Sequence, residues 1–419
     1  MTRNRDVPHR VLLGLGGGIA AYKLCEVAST LAQRDISVRP LFTAAAQRFI
    51  TPLTLATLCR HRAYTDEDFW QASQGRPLHI ELGEWADLLV IAPLTANTLG
   101  KLVYGMADNL LTNTVLASTC PVLVAPAMNT DMWEQVSVQR NWRQLGQDPR
   151  FHGLDPGAGR LACDRVGTGR MVEPAVLIAA IDALLMTGGR RDLAGKQILI
   201  STGSTREYWD PVRFIGNPAS GKMGVALALA ARFRGAQVTL VHGPMAAADL
   251  APLNQVQLVP VASAAEMEAA LINALPLADW VIMAAAIADV KPRHQATEKL
   301  PKAALPEALP LAPVPDIAAR LSQLKTPQQK LIGFAAQTGD ILAPAQAKLV
   351  HKGLDAIVAN PIDQPQGGFG SEMNQAMILM PGRPPVPLPL VPKWQLAHQI
   401  YDVVLNHFIG THLGPSPFG

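Results

Sequence analysis

What most constrains this chain is an alternation of elements that runs twice. Short apolar runs at 11–15, 38–42, 88–92 and 122–125 alternate with helical stretches at 20–33, 95–104, 109–118 and 131–145. Runs that are apolar on both faces suit strands of a parallel sheet covered by helices on each side. The pattern lapses over 151–174, which is rich in Gly and Arg and has no periodicity, and returns as a helix at 175–186. A linker-like segment follows at 187–196 (TGGRRDLAGK). Beyond it, strands at 197–201, 238–241, 256–261, 280–285, 331–335 and 356–359 alternate with helices at 222–234, 264–275, 316–324 and 341–352. A Pro-rich stretch, 381–392, and an amphipathic helix, 394–408, close the chain. At roughly 150 residues per domain, the length allows two or three domains. The restart selects two: an α/β protein of two doubly wound, Rossmann-like or flavodoxin-like parallel-sheet domains in tandem, 1–188 and 189–419.

Composition narrows the class of function. Hydrophobic residues make up 49% and charged residues 16%, as in globular proteins. The net charge of +3, from 36 Lys+Arg against 33 Asp+Glu, leaves no broad basic surface, so nucleic acid is not expected as a partner. The four cysteines, at 25, 59, 120 and 163, form no C-x-x-C pair. That argues against a disulfide scaffold or structural zinc and for a reducing compartment. No run reaches the ~18–20 apolar residues of a membrane span, and no secretory h-region follows the polar N-terminus. The expectation is a cytoplasmic protein that acts on small molecules, with Cys25, Cys59 and Cys120 as ordinary buried thiols.

Gly16-x-Gly18-x-x-Ala21, between the first strand and first helix, formally fits a dinucleotide fingerprint. Glycines there let backbone approach a phosphate at the positive end of a helix. The acidic residue that would hold a ribose hydroxyl about 20 residues on is missing; the second strand ends instead at Leu41-Phe42-Thr43-Ala44-Ala45, which favours a mononucleotide over NAD. A tight turn without any ligand is the plain alternative. Polar loops also follow the third strand (Ala92 to Thr98) and the fourth (Ala125 to Trp133), at strand ends where open sheets bind ligands.

These residues resemble the flavin-dependent cysteine decarboxylases, and more closely the bifunctional phosphopantothenoylcysteine decarboxylase/phosphopantothenate–cysteine ligase family of coenzyme A biosynthesis. The resemblance is carried by Gly17-Gly18-Ile19-Ala20-Ala21-Tyr22-Lys23, Phe49 to Leu53, His79 to Asp87 and Ala92 to Thr98. Gly105 to Leu111, Pro126 to Trp133 and Leu161-Ala162-Cys163 with Gly167 to Met171 extend it over the first unit. It implies FMN held by Gly17, Gly18, Thr43, Thr95, Ala96 and Asn97. It also implies an oxidative decarboxylation in which the thiol-bearing carbon loses a hydride, the resulting thioaldehyde acts as electron sink for loss of CO2, and the hydride is returned. By resemblance His79 is the base, Asn129 binds the substrate carboxylate and Cys163 is the proton donor, on the aperiodic segment. Two positions depart from the pattern: Gly16 stands where Ser is usual and Asp164 where Gly follows the catalytic Cys.

In the second unit, Gly216-x4-Gly221-Lys222 approaches a P-loop, but Met223 replaces the magnesium-binding hydroxyl, leaving a glycine-rich anion site. Thr205-Arg206-Glu207, Asp210 to Arg213, Ser220 to Gly224, Ala284 to Asp289, Glu298 to Leu300, Pro315 to Ile317 and Gly333 to Ala336 resemble the ligase half of the same family. The implied reaction joins 4′-phosphopantothenate to cysteine through an acyl cytidylate made from CTP, with Mg2+. By resemblance Lys299 drives cytidylation and Asn217 handles the acyl cytidylate. Met283, Ala284, Ala285, Asp289, Pro315, Asp316, Ile317, Ala318, Phe334, Lys348 and Lys352 would bind the nucleotide; the metal ligands are unknown. Lys348 and Lys352, four apart on one helix face, suit phosphates, though a solvated face is the ordinary reading of such a pair. Pro218, Ala219, Val314, Gln337 and Pro361 depart from the family pattern.

The resemblance also implies homo-oligomers, with trimeric decarboxylase and dimeric ligase units. Two other readings compete with a two-activity enzyme. A flavoprotein cysteine decarboxylase or flavin prenyltransferase with another substrate leaves 197–419 unexplained. A flavin-binding regulatory protein needs none of the catalytic set.

Overall fold

The computed structural model describes residues 8–71, 75–160, 166–253, 255–302, 305, 307–363, 368 and 370–410. The chain forms two units, Met1–Arg190 and Arg191–Gly419.

The first unit is built on a five-stranded parallel sheet of β1 (Arg10–Leu15), β2 (Ser37–Phe42), β3 (Leu88–Leu94), β4 (Val122–Pro126) and β5 (Phe151–Gly153). Its order is β2-β1-β3-β4-β5, with every ladder parallel. All seven residues of β3 are buried, as a central strand covered on both faces requires. Full burial of each such aliphatic side chain contributes about 1.5–3 kcal/mol. The order reverses at β1, which places a crevice between the loops leaving β1 and β3.

The aperiodic stretch 151–174 is more ordered than its sequence suggests. Phe151–Gly153 adds the edge strand β5, and β6 (Gly157–Arg160) pairs antiparallel with β7 (Val166–Arg170). Short Gly-rich strands bury too few side chains to leave an alternating pattern. The expected helix at 131–145 is two helices, Thr130–Trp133 and Val136–Leu145. The long helix Pro174–Thr187 ends at Gly188, whose φ of 59° is a left-handed cap that glycine adopts without strain.

The second unit carries an eight-stranded sheet. Its strands are β8 (Gln197–Thr202), β11 (Gln237–His242), β12 (Gln257–Pro260), β13 (Trp280–Met283), β16 (Lys330–Gln337), β17 (Ala356–Pro361), β18 (Met373–Leu379) and β19 (Val386–Pro392). Two small hairpins lie outside it: β9 (Arg206–Tyr208) with β10 (Phe214–Gly216), and β14 (Val290–Pro292) with β15 (Leu311–Pro313). The order is β12-β11-β8-β13-β16-β17-β18-β19. The first six strands are parallel and follow the doubly wound 3-2-1-4-5-6 pattern, with its reversal between β8 and β13.

The last two strands depart from the all-parallel expectation. β18 runs antiparallel to β17, and β19 antiparallel to β18. β19 contains most of the Pro-rich stretch; proline is tolerated in an edge strand because no outward amide is needed there. The closing helix, Lys393–Phe408, packs on the core through Leu396, Ile400, Tyr401 and Val404. Arg234, 1% exposed, pairs there with Asp402 and with Asp192 (3.1 Å) and donates to the His398 carbonyl (3.2 Å). Burial pulls the neighbouring His398 down to about 3, with the Arg234 charge acting in the same direction, so this imidazole is neutral. Of the thiols expected to be buried, Cys59 is, whereas Cys25 and Cys120 are half-buried.

Candidate functional sites

In the first unit three loops meet at the carboxyl edge of β1, β2 and β3. A Cβ on Gly16 would overlap the Pro93 carbonyl, and one on Gly17 would overlap the Ala45 side chain. Only glycine lets the loop after β1 touch both neighbours. At Gly18 a Cβ would make only ordinary contact with the Pro93 ring, and the residue precedes the 3-10 turn Ile19–Lys23. The Thr43 hydroxyl donates to the Leu15 carbonyl (3.0 Å) and accepts from the Ala46 amide (3.3 Å), which fixes the second loop to the first. Thr95 caps the helix Ala96–Tyr104, accepting from the Thr98 amide (3.2 Å). Ala96 and Asn97 lie in its first turn, where amides have no intrahelical acceptor. Gly17, Gly18, Thr43, Thr95, Ala96 and Asn97 therefore come together around the switch point. The arrangement can hold a phosphate on backbone donors at modest charge, and it fits the phosphate end of a mononucleotide.

His79 is the second residue of the helix Leu78–Trp85. Its ring meets Phe69 edge-on at 5.4 Å, and its Nδ1 is buried without a hydrogen-bond partner among the described residues. Asn129 follows β4 and caps the helix Thr130–Trp133, its Oδ1 accepting from the Asp131 amide (2.8 Å). β7 lies on this loop: the Met128 amide donates to the Gly169 carbonyl (3.0 Å). A Cβ on Gly169, whose φ is 144°, would overlap the Met128 carbonyl, and one on Gly167 would crowd Thr130. The two glycines are what allow strand and loop to touch. Cys163, together with Asp164, lies outside the described residues.

In the second unit, one cavity of about 540 Å3 opens where the sheet order reverses. Asn217, Met283, Ala284, Ala285, Asp289, Pro315, Asp316, Ile317, Ala318, Phe334, Lys348 and Lys352 all line it. Its walls are built from the loop after β13, the start of the helix Ile317–Leu324, the end of β16 and the last turn of the helix Leu342–His351. The Asn217 amide donates to the Ile287 carbonyl (3.2 Å), which ties one rim to the β13 loop. Asp316 uses Oδ1 to cap the helix Ile317–Leu324 through the Ala319 amide (3.1 Å), and Oδ2 to meet the Lys352 ammonium (3.0 Å). Burial raises the Asp316 carboxyl pKa, but the Lys352 bond and the Ala319 amide outweigh it and hold the group below its usual value. Lys348 has no side-chain partner among the described residues and remains a free cation on the cavity wall.

Lys299 is placed differently. It is exposed on the segment after β14 and is not among the residues that line the cavity. Its neighbour Leu300 donates to Asp210 Oδ2 (3.4 Å) and accepts from Arg213 (3.3 Å), so this segment hangs from the Asp210–Arg213 turn. Buried Asp210 is pushed up by desolvation, yet the Val212 and Arg213 amides hold it below the usual carboxylate range.

The cavity also has a cationic end, made of Lys222 from the glycine-rich anion motif and of Lys393, which the sequence does not single out. Lys222, at the start of the helix Lys222–Phe233, pairs with Glu372. Lys393, 7% exposed, donates to the Gly368 carbonyl (3.5 Å) and to Ser371, beside Asn374. Burial lowers the Lys393 pKa, with Glu372 opposing and Lys222 reinforcing that shift. Nothing in the residues around 393 signals this; a lysine at the start of an amphipathic helix reads as a solvated head group. Among the described residues there is no group of three or more His, Cys, Asp or Glu side chains that could hold a metal. No helix of the described residues is long and apolar enough to cross a membrane.

Residues 1–186 match the Flavoprotein family model, and 193–408 match the model for the DNA/pantothenate metabolism flavoprotein C-terminal domain. The chain is 40% identical over 404 residues to the coenzyme A biosynthesis bifunctional protein CoaBC of Bacillus subtilis (strain 168), covering 96% of this chain and 97% of the relative. Identity to the protein of the same name from Escherichia coli (strain K12) is 37% over 405 residues, covering 95% and 97%. A cysteine/cysteine sulfinic acid decarboxylase from an unknown prokaryotic organism is 42% identical over 334 residues, covering 79% of this chain and 91% of that one.

Proposed function

Because the chain belongs to the family of coenzyme A biosynthesis bifunctional proteins, we propose that its first unit works with FMN and its second with CTP and Mg2+. The protein is a bifunctional enzyme, a flavoprotein decarboxylase followed by a phosphopantothenate–cysteine ligase. The observation that carries the finer reading is that one cavity, at the reversal of the second sheet, is bordered by the whole nucleotide set from Met283 to Lys352 and by Asn217.

In the ligase step, a carboxylate oxygen of 4′-phosphopantothenate bonds to the α-phosphorus of CTP, and the bond to the departing pyrophosphate breaks. Lys348 and Lys352 offset the charge that develops on the phosphates, and a bound Mg2+ would supply further charge neutralisation there. Lys299 approaches from its own segment and adds a cation at the reacting phosphate. Asn217 orients the acyl cytidylate with an uncharged amide. The cysteine amine then bonds to the acyl carbon, CMP leaves, and the amine proton passes to solvent.

In the decarboxylase step, bound FMN supplies reversible two-electron oxidation at the carbon bearing the substrate thiol. Backbone amides of Gly17 and Gly18, with Thr43, Thr95, Ala96 and Asn97, hold its phosphate and ribityl end. His79 takes the thiol proton as general base. Asn129 donates to the substrate carboxylate, and Cys163 returns a proton to carbon as the product forms. The enzyme acts in the cytoplasm, as trimers through the first unit and dimers through the second.

Mass spectrometry after incubation with 4′-phosphopantothenate, cysteine, CTP and Mg2+ tests the whole reading. The FMN-loaded chain should yield 4′-phosphopantetheine and CMP. Omitting CTP should leave the starting acid, and His79→Asn should stop at the cysteine adduct. Adduct formation without CTP, or full conversion by His79→Asn, would overturn the corresponding half.

A further inference from the structure

Lys23 is a buried ammonium that the reaction described above does not use. It closes the turn Ile19–Lys23, directly after the glycine loop, and is only 7% exposed. Its Nζ donates to the Met171 carbonyl (3.2 Å) and to Glu173 Oε2 (3.0 Å), nearly 150 residues away in sequence. Glu173 in turn takes the Arg170 guanidinium on its other oxygen (2.8 Å), and Arg170 is the last residue of β7. Burying an ammonium is costly, and a well-packed apolar side chain of similar size is often as stable or more so. What a lysine supplies that an apolar residue does not is direction: two donors that fix where a carbonyl and a carboxylate must lie.

That direction joins three parts of the first site. The turn that carries Lys23 continues the Gly16–Gly18 loop. The Met171 carbonyl is one residue past β7. β7 itself rests on the Asn129 loop through the Met128 amide and through Gly167 and Gly169, where no side chain intervenes. We propose that Lys23 is a positioning residue for the decarboxylation: it sets β7, and through it the Asn129 loop, at a fixed distance from the glycine loop that receives the cofactor. This rests on the flavin reading of the first unit, since the glycine loop matters to the reaction only if the cofactor sits there. Errors of about 1 Å in such a placement can cost 10²-fold in rate, which makes one fixed ammonium consequential.

The experiment uses the full chain loaded with FMN and compares wild type with Lys23→Met, Lys23→Arg and Glu173→Gln. For Lys23→Met, decarboxylase kcat per bound flavin should fall about 10–100-fold, with KM changing much less, as expected when an arrangement needed in the transition state is lost. Lys23→Arg should recover most of it, because a guanidinium can still reach both acceptors. Glu173→Gln should show a smaller loss in the same direction. Ligase turnover in the same molecules should be unchanged, which reports that the second unit is folded, while the bound flavin reports on the first.

Amide hydrogen exchange at Gly157–Arg160 and Val166–Arg170 supplies a readout independent of turnover. It should accelerate in Lys23→Met at full FMN occupancy and stay near wild type in Lys23→Arg. Unchanged exchange, or unchanged kcat per flavin with flavin merely lost, would overturn the positioning role. If Lys23→Met does not fold, the same two readouts on Glu173→Gln decide the question. A wild-type chain that binds no FMN would instead overturn the flavin reading, which the exchange comparison without FMN separates from the placement of β7.

Discussion

Asp316 meets Lys352 at 3.0 Å with one carboxylate oxygen while its other oxygen caps the helix Ile317–Leu324. A single side chain therefore fixes both a helix start and a cation on the same cavity wall.

Asp316→Asn separates those two roles. Asparagine caps helices as well as aspartate, and an ion pair this exposed contributes about 0–1 kcal/mol, so stability at pH 7 should hardly change. Lys352 loses its anchor, and the KM for CTP should rise several-fold, most at low salt. Because the folded carboxyl is held below its usual value, its contribution is present above about pH 4 and disappears as pH falls through the depressed value. Acid titration of thermal stability should lose part of that slope in the variant.

Asp182 has the opposite sign. Desolvation raises it to about 6, despite the partial offset from Arg34 at 3.0 Å. Its contribution to stability is complete below the unfolded value of about 4 and is lost as pH rises through about 6. Asp182→Asn should flatten that window. At pH 7 it should stabilise the first unit by roughly 2–3 kcal/mol, the Arg34 offset being already contained in that shift, as read by thermal denaturation at pH 4, 5, 6 and 7.

Gly16→Ser would introduce the residue usual in the family, and here it should weaken FMN binding. A Cβ at position 16 overlaps the Pro93 carbonyl, so a serine must push apart the loops after β1 and β3 before its hydroxyl can help. The expected result is at least a 10-fold rise in the FMN dissociation constant by fluorescence titration, with ligase turnover unaffected.

Arg234→Met tests the buried charge cluster of the second unit. Removing the buried guanidinium deletes its ion pairs with the partly exposed Asp192 and Asp402, a loss somewhat below the roughly 3–5 kcal/mol of a fully buried pair. Chemical denaturation should show this as an early transition of the second unit. The double change with Asp402→Leu should recover part of it.

Legibility in the sequence followed burial. Strands covered on both faces, such as Leu88–Leu94 and Gln197–Thr202, announce themselves as apolar runs. The hairpin of β6 and β7 does not, since its contacts are made by glycine backbone against Met128 and Thr130. β18 and β19 were hidden for a related reason: the half-exposed, Pro-interrupted run of β19 reads as a loop until a partner strand is known. Among the candidate site residues, those on loops at strand ends stand out in the sequence because glycine, asparagine and proline interrupt the apolar runs there. Lys393 does not, because its burial comes from the Gly368 and Ser371 carbonyls, supplied by a distant loop. The same holds for Lys23, which lies inside a recognisable motif but whose partners lie nearly 150 residues on.

The last strand of the second sheet has a consequence for association. Pro387 and Pro389 stand two apart in Val386–Pro392, so both withhold an amide from the same edge of β19. β18 occupies one edge of β19, and on the other edge a ladder would lack a donor wherever a proline amide falls due, as at Pro387 and Pro389 or at Pro392. An incoming extended chain would find acceptors there without the donors to complete a ladder. The sheet thus carries its own terminator, and copies of this protein are steered away from joining strand to strand along that border.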